Sequence, residues 1–194
     1  SLLSVATELS HVNAIQWLLE HGVDANWSFK DETPEGRRRG EWRGNAWWSG
    51  DMGHSPLFGA CQTGNVEAVK LLIKHGADVN SVEKEGWKTP LLAAVEGGHV
   101  EVARVLVQGG VEVKFIGQKA YKLEAPVLIA TEKGDVRMLE LLWENGADFT
   151  ATNRNNCSAL CVAAEHGRLD AVKWLLDHGV DDTWKQICYS GGEY

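Results

Sequence analysis

Ser55-Pro56-Leu57-Phe58-Gly59-Ala60-Cys61-Gln62-Thr63-Gly64-Asn65-Val66-Glu67-Ala68-Val69-Lys70-Leu71-Leu72-Ile73-Lys74-His75-Gly76-Ala77-Asp78-Val79-Asn80 is the stretch that decides the fold. Pro56 suits the first turn of a helix, where its missing N–H is not needed. Leu57, Phe58, Ala60 and Cys61 follow at helical spacing, and Gly64 is a stop signal. Val66, Val69, Leu72 and Ile73 then form one apolar stripe of a second helix, which His75-Gly76 ends. Asp78-Val79-Asn80-Ser81 reads as an extended turn. The unit is helix, tight turn, helix, protruding turn.

The unit recurs. Thr89-Pro90-Leu91…Gly110, Ala125-Pro126-Val127…Gly146 and Ser158-Ala159-Leu160…Gly179 are further copies, and Ser1-Leu2-Leu3…His21-Gly22-Val23-Asp24 is a fainter one. Gly76, Gly110, Gly146 and Gly179 recur at intervals of 34, 36 and 33 residues, whereas Gly22 to Gly76 is 54. A period of this size means stacked units, none able to bury its apolar face alone. Ala60, Ala94, Ala130 and Ala163 form a small-residue column that lets neighbouring backbones approach. Repeats are expected at about 1–26, 55–80, 89–114, 125–150 and 158–183 of a single domain over 1–194, with an insertion at 27–54 and a tail at 184–194.

These residues resemble the ankyrin repeat. Thr89-Pro90-Leu91, Ala93-Ala94, Gly98-His99 and His75-Gly76-Ala77-Asp78-Val79-Asn80 match the family pattern as they stand. The resemblance implies an all-α solenoid and a protein-interaction role. The chain departs from the pattern where the family carries an opening-motif histidine that ties adjacent repeats. Ser4, Phe58, Leu92, Leu128 and Cys161 stand there, so stacking must lean on apolar contact. Tyr121-Lys122-Leu123 lengthen one turn. Asn156 replaces a glycine, a swap that the left-handed conformation tolerates. Neither end shows the polar cap that repeat arrays need. The opening Ser1-Leu2-Leu3-Ser4 has no signal-peptide pattern and falls inside a repeat, so further repeats or a covering domain are expected beside it.

Composition limits the function. The net charge of −8 argues against a general nucleic-acid or anionic-membrane binder. No apolar run reaches spanning length. Cys61, Cys157, Cys161 and Cys188 lack disulfide-framework spacing and read as free thiols of a reducing compartment, cytoplasmic or nuclear. No cofactor or metal is assigned. There is no Gly-x-Ser-x-Gly, phosphate loop or His-Glu-x-x-His, so a non-enzymatic module is expected. Glu41, Asp51, His54 and Cys61 could form an acid–base set only if the fold converged them. His21, His75 and His178 read as partners of helix C-termini.

The resemblance implies a concave binding face built from first-helix ends and turns. There the copies vary: Glu8/Leu9, Gln62/Thr63, Glu96/Gly97, Glu132/Lys133 and Glu165/His166, with Glu83, Lys84, Trp87, Tyr121 and Arg154 at turn tips. The Glu row is either a solvated helix edge or an acidic stripe for a protein partner with basic segments. Trp87 and Tyr121 either pack on neighbouring turns or bind.

Among nine tryptophans, Trp17, Trp143 and Trp174 are expected to pack between repeats, and Trp27 and Trp184 share a structural column. Insertion 27–54 sets Arg37, Arg38, Arg39 and Arg43 beside Trp42, Trp47 and Trp48. Three readings of it compete: folding into the groove against the Glu row, binding a protein partner, or contacting a small molecule or nucleic acid by stacking.

Overall fold

The helices start where their caps dictate. Ser55, Thr89 and Ser158 accept hydrogen bonds from the backbone N–H groups of Phe58, Leu92 and Cys161, the residues that would otherwise be orphan donors. Pro56, Pro90 and Pro126 occupy the first turn of their helices. In this computed structural model, which describes residues 2–26, 54–83, 88–113 and 125–180, ten helices result. They are α1 Leu2–Glu8, α2 Val12–Glu20, α3 Pro56–Gln62, α4 Val66–Lys74, α5 Pro90–Gly97, α6 Val100–Gln108, α7 Pro126–Lys133, α8 Val136–Glu144, α9 Ala159–Glu165 and α10 Leu169–Asp177.

Each odd helix packs on the even helix after it, and like helices stack on like: α1, α3, α5, α7, α9 form one layer, and α2, α4, α6, α8, α10 the other. The chain is an ankyrin-type solenoid of five helix pairs among the described residues. The alanine column is solvent-free at Ala60, Ala94, Ala130 and Ala163. In the opening-motif column Phe58, Leu92 and Leu128 are buried as expected, whereas Ser4 and Cys161 are half-buried. One isolated bridge, Thr152 to Ser158, closes the turn before α9. Asn156 in that turn has φ 59, so it takes the left-handed conformation in place of glycine.

The turn inside each pair shows two solutions to one problem. Asn65 and Asp135 cap their own helices through Ala68 N and Met138 N. His99 and Arg168 stand at the same place but reach back to the preceding pair. The His99 Nε2 lies 3.2 Å from the Gln62 carbonyl, and Arg168 Nε donates to the Glu132 carbonyl at 2.7 Å. His99 lies so close over Gly64 that a Cβ there would meet the ring at 2.6 Å. Gly64 also has φ +74, so two independent constraints require glycine.

The second-helix endings use their histidines as expected at two places. The Nδ1–H of His21 donates to the Trp17 carbonyl at 2.7 Å, and that of His178 to the Trp174 carbonyl at 2.8 Å. Trp174 is buried, and Trp143 meets it edge-on with centroids 6.1 Å apart. Trp17 departs from the expected inter-repeat packing. It is largely exposed because no described helix pair lies against its side of α2.

Candidate interaction surface

The first helices end at a common height because α1, α3, α5, α7 and α9 stack in register. Glu8, Glu96, Glu132 and Glu165 are all exposed on that edge, with Gln62 in the remaining place. Glu132 Oε1 lies 3.7 Å from His166 Nε2 of the next pair, both groups half exposed. The His166 Nδ1–H donates to the Val162 carbonyl at 3.0 Å, which fixes the ring over the end of α9. The backbone under this edge is held between pairs by the His99 and Arg168 contacts to Gln62 and Glu132.

Two asparagines tie successive turns together and were not singled out from the sequence. Asn26 Nδ2–H donates to the Gly76 carbonyl at 2.8 Å, while its Oδ1 accepts from Asp78 N at 2.7 Å. Asn80 Oδ1 accepts from Glu112 N at 2.8 Å. Their signal was present: Asp24-Ala25-Asn26 and Asp78-Val79-Asn80 repeat the same pattern, and each Asp accepts from the Asn backbone at 2.9 Å.

Glu83 differs most from its expectation as an exposed turn tip. It is 6% exposed. Its Oε1 accepts from Ser55 N and from Ser55 Oγ, each at 2.9 Å, and His54 Nδ1 lies 3.3 Å from its Oε2. Its own N–H donates to the Lys88 carbonyl at 2.9 Å. The side chain therefore turns inward, where a carboxylate can satisfy the cap of α3, and leaves the exposed surface. Arg154 is exposed on the turn before α9. Arg37, Arg38, Arg39, Trp42, Arg43, Trp47, Trp48, Lys84, Trp87 and Tyr121 lie outside the described residues, as do Trp27, Trp184 and Cys188.

A family model for ankyrin repeats (3 copies) matches residues 43–116 and 113–185. The chain belongs to the ankyrin repeat family. The array is similar in structure to the human ASB11 ankyrin repeat domain, with a TM-score of 0.73 and 26% identity, over 93% of this chain and 70% of that one. It is 36% identical over 125 residues to the ankyrin repeat protein nuc-2 of Neurospora crassa, covering 64% of this chain and 11% of that protein. A shorter stretch of 61 residues is 43% identical to an L-asparaginase of Dirofilaria immitis, covering 29% of this chain and 10% of the enzyme. The chain thus spans about a tenth of those two relatives' length. Ankyrin repeats generally serve as protein-interaction modules. Among the described residues, no helix is long and apolar enough to cross a membrane.

The described part of the acid–base set does not assemble in the ankyrin array. His54 faces Glu83 and stacks on Phe58 with centroids 4.5 Å apart. Cys61 is buried in the core, and burial pushes its thiol far up, so it is held protonated. Glu41 and Asp51 lie outside the described residues. A raised folded pKa means that Cys61 stabilises the fold fully below the ordinary thiol value of 9.0, and that this contribution is lost as pH rises above it. Stability measured by urea unfolding is expected to fall by up to about 1.4 kcal/mol per pH unit above that value. Cys61→Ala removes that component; an identical alkaline fall in the variant would refute the assignment.

Proposed function

We propose that this ankyrin array is a non-enzymatic recognition module that binds a protein partner carrying basic segments. Glu8, Glu96, Glu132 and Glu165 form one part of the binding face. Insertion 27–54 contributes a second, through its arginines and tryptophans, and Lys84, Trp87, Tyr121 and Arg154 are further contact residues of this reading. The observation that carries this reading is the exposure of four carboxylates at one register of four stacked helices. A row of like charge on a rigid scaffold raises the encounter rate with an opposite charge and fixes its register. The solenoid holds the row on a stacked scaffold, and the small rotation per repeat makes the extended surface that suits extended partners. Glu83 is not part of this face, because its carboxylate is committed to Ser55.

The test starts with capture of partners from a lysate by the intact chain, by a version trimmed of residues 30–50, and by Glu96→Lys/Glu132→Lys. Affinity for the captured partner is expected to drop at least about tenfold in the charge-reversed variant at low salt, with the difference shrinking as salt rises. The trimmed chain is expected to keep its fold, since the closure entropy of a connecting segment depends only weakly on its length, and to lose further affinity. A captured partner that binds all three forms equally would overturn the assignment of the face.

A further inference from the structure

Side-chain ties cross the junctions between helix pairs at two columns. In the first, the residue before a second helix reaches back: His99 Nε2 lies 3.2 Å from the Gln62 carbonyl, and Arg168 Nε donates to the Glu132 carbonyl at 2.7 Å. Both side chains cover the glycine of the preceding pair. A Cβ would meet His99 at 2.6 Å above Gly64 and Arg168 at 3.0 Å above Gly134. In the second column, an asparagine bridges to the next turn, Asn26 to Gly76 and Asp78, and Asn80 to Gly110 and Glu112. The first and second pairs are thus tied by Asn26, the second and third by His99 and Asn80, and the fourth and fifth by Arg168.

The junction of the third and fourth pairs carries neither arrangement. Asp135 stands where His99 and Arg168 stand, but it caps its own helix at Met138 N, 3.1 Å away. A Cβ on Gly98 would find its nearest neighbour, Asp135 Oδ2, only at 3.9 Å. Lys114 stands where Asn26 and Asn80 stand. An ammonium group donates but cannot accept, so it cannot receive the N–H of a following turn.

The outer charges are rearranged at the same junction. In α4, α6 and α10 the acid comes first and pairs with a base three residues later: Glu67 with Lys70 at 2.8 Å, Glu101 with Arg104 at 3.7 Å and Asp170 with Lys173 at 3.9 Å. In α8 the order is inverted, Arg137 and then Glu140. A cation in the first turn runs against the helix dipole, so local preference does not account for the inversion. Its effect is to set Arg137 opposite Glu101 and Glu140 opposite Arg104, and these four with His99 line an open groove. The inversion sets opposite signs between α8 and α10 as well, but there Arg168 closes the junction. Exposed opposite charges attract only weakly, so they permit the groove to narrow without imposing it, where like charges would resist.

We propose that the array flexes at this junction: the first three helix pairs move as one segment, the last two as another, and α7 and α8 slide against α5 and α6. Between the segments α5 stacks on α7, with Leu92, Ala94, Leu128 and Ala130 buried. Apolar contact is non-directional and tolerates a small slide, whereas a hydrogen bond is lost within a few tenths of an ångström or a moderate tilt. A junction that keeps the first and drops the second is the natural place for shear. The flexure does not depend on what binds the exposed edge. It bears on that edge because Glu96 and Glu132 lie on opposite sides of the junction, so one motion sets their spacing.

Double electron–electron resonance on the 194-residue chain tests this. One pair of nitroxides is placed at Glu20 and Gln108, and another at Lys74 and Glu144. All four are exposed last residues of second helices, so both pairs span two junctions and only the second pair crosses the loose one. Bioorthogonal side chains carry the nitroxides, which leaves the native cysteines unmodified. The distance distribution from Lys74 to Glu144 is expected to be about twice as wide as that from Glu20 to Gln108, or wider. Lys114→Asn, which restores a bridging amide, and Asp135→His, which copies His99, are each expected to narrow it. Equal widths in the unsubstituted array overturn the proposal, and that comparison needs neither variant to fold. A wide distribution that neither substitution narrows overturns it as well, by separating the motion from the missing ties.

Discussion

Phe58→Ala is expected to cost about 3–5 kcal/mol, the range for emptying a closed aromatic site, and to lower the Tm by about 10 °C. Phe58 is 1% exposed on α3, which packs against α1 on one side and α5 on the other. It stands where the ankyrin pattern places a histidine that ties repeats by hydrogen bonds. Here the tie is apolar, and the His54 ring stacked over it completes the enclosure. The backbone N–H of Phe58 bonds to Ser55 Oγ whatever the side chain, so the cap survives the substitution. Phe58→Leu, which copies Leu92 and Leu128 at the equivalent positions, is expected to cost about 1.5 kcal/mol or less. Urea unfolding followed by circular dichroism measures both. A Phe58→Ala loss below about 1 kcal/mol would mean that the repeats are held together by something other than this column.

The fold was legible in the sequence to the extent that it depends on short-range signals. Pro56, with Pro90 and Pro126 at the same place in later copies, located helix starts, and the Val66-Val69-Leu72-Ile73 stripe gave the core-facing side of α4. Asn156 was assigned its left-handed turn from its place in the glycine column alone. These signals work because helix registry and capping are settled within one or two turns of chain. The two misreadings have the opposite character. Nothing near Trp17 distinguishes it from Trp174; what differs is the rings of the preceding repeat that cover the buried one, Trp143 and Phe149, 31 and 25 residues upstream. Glu83 sits in a polar turn that reads as solvated, and its partner is 28 residues upstream. The Glu row lies between these cases: its common register follows from the repeat period, while what it faces does not.

Glu83→Ala is expected to cost about 2 kcal/mol, the middle of the range for orphaning donors of a buried acceptor, because the Ser55 donors are themselves part-buried. The carboxylate accepts the Ser55 N–H and the Ser55 hydroxyl at 2.9 Å each, with His54 at 3.3 Å from its other oxygen. Ser55 in turn caps α3 at Phe58 N. Removing the carboxylate therefore frees the residue that starts the helix, next to the column that joins the repeats. Glu83→Gln separates the two contributions. Its amide oxygen still accepts from Ser55, but the charge facing His54 is gone, so its cost should be about half or less. Amide exchange at Ser55 should quicken in the alanine variant ahead of global unfolding, since the break is local. In the double variant with Phe58→Ala the losses should fall short of additive, because both act on the first turn of α3. Full additivity, with Ser55 exchange unchanged, would place Glu83 outside the packing of this repeat and refute the anchoring role.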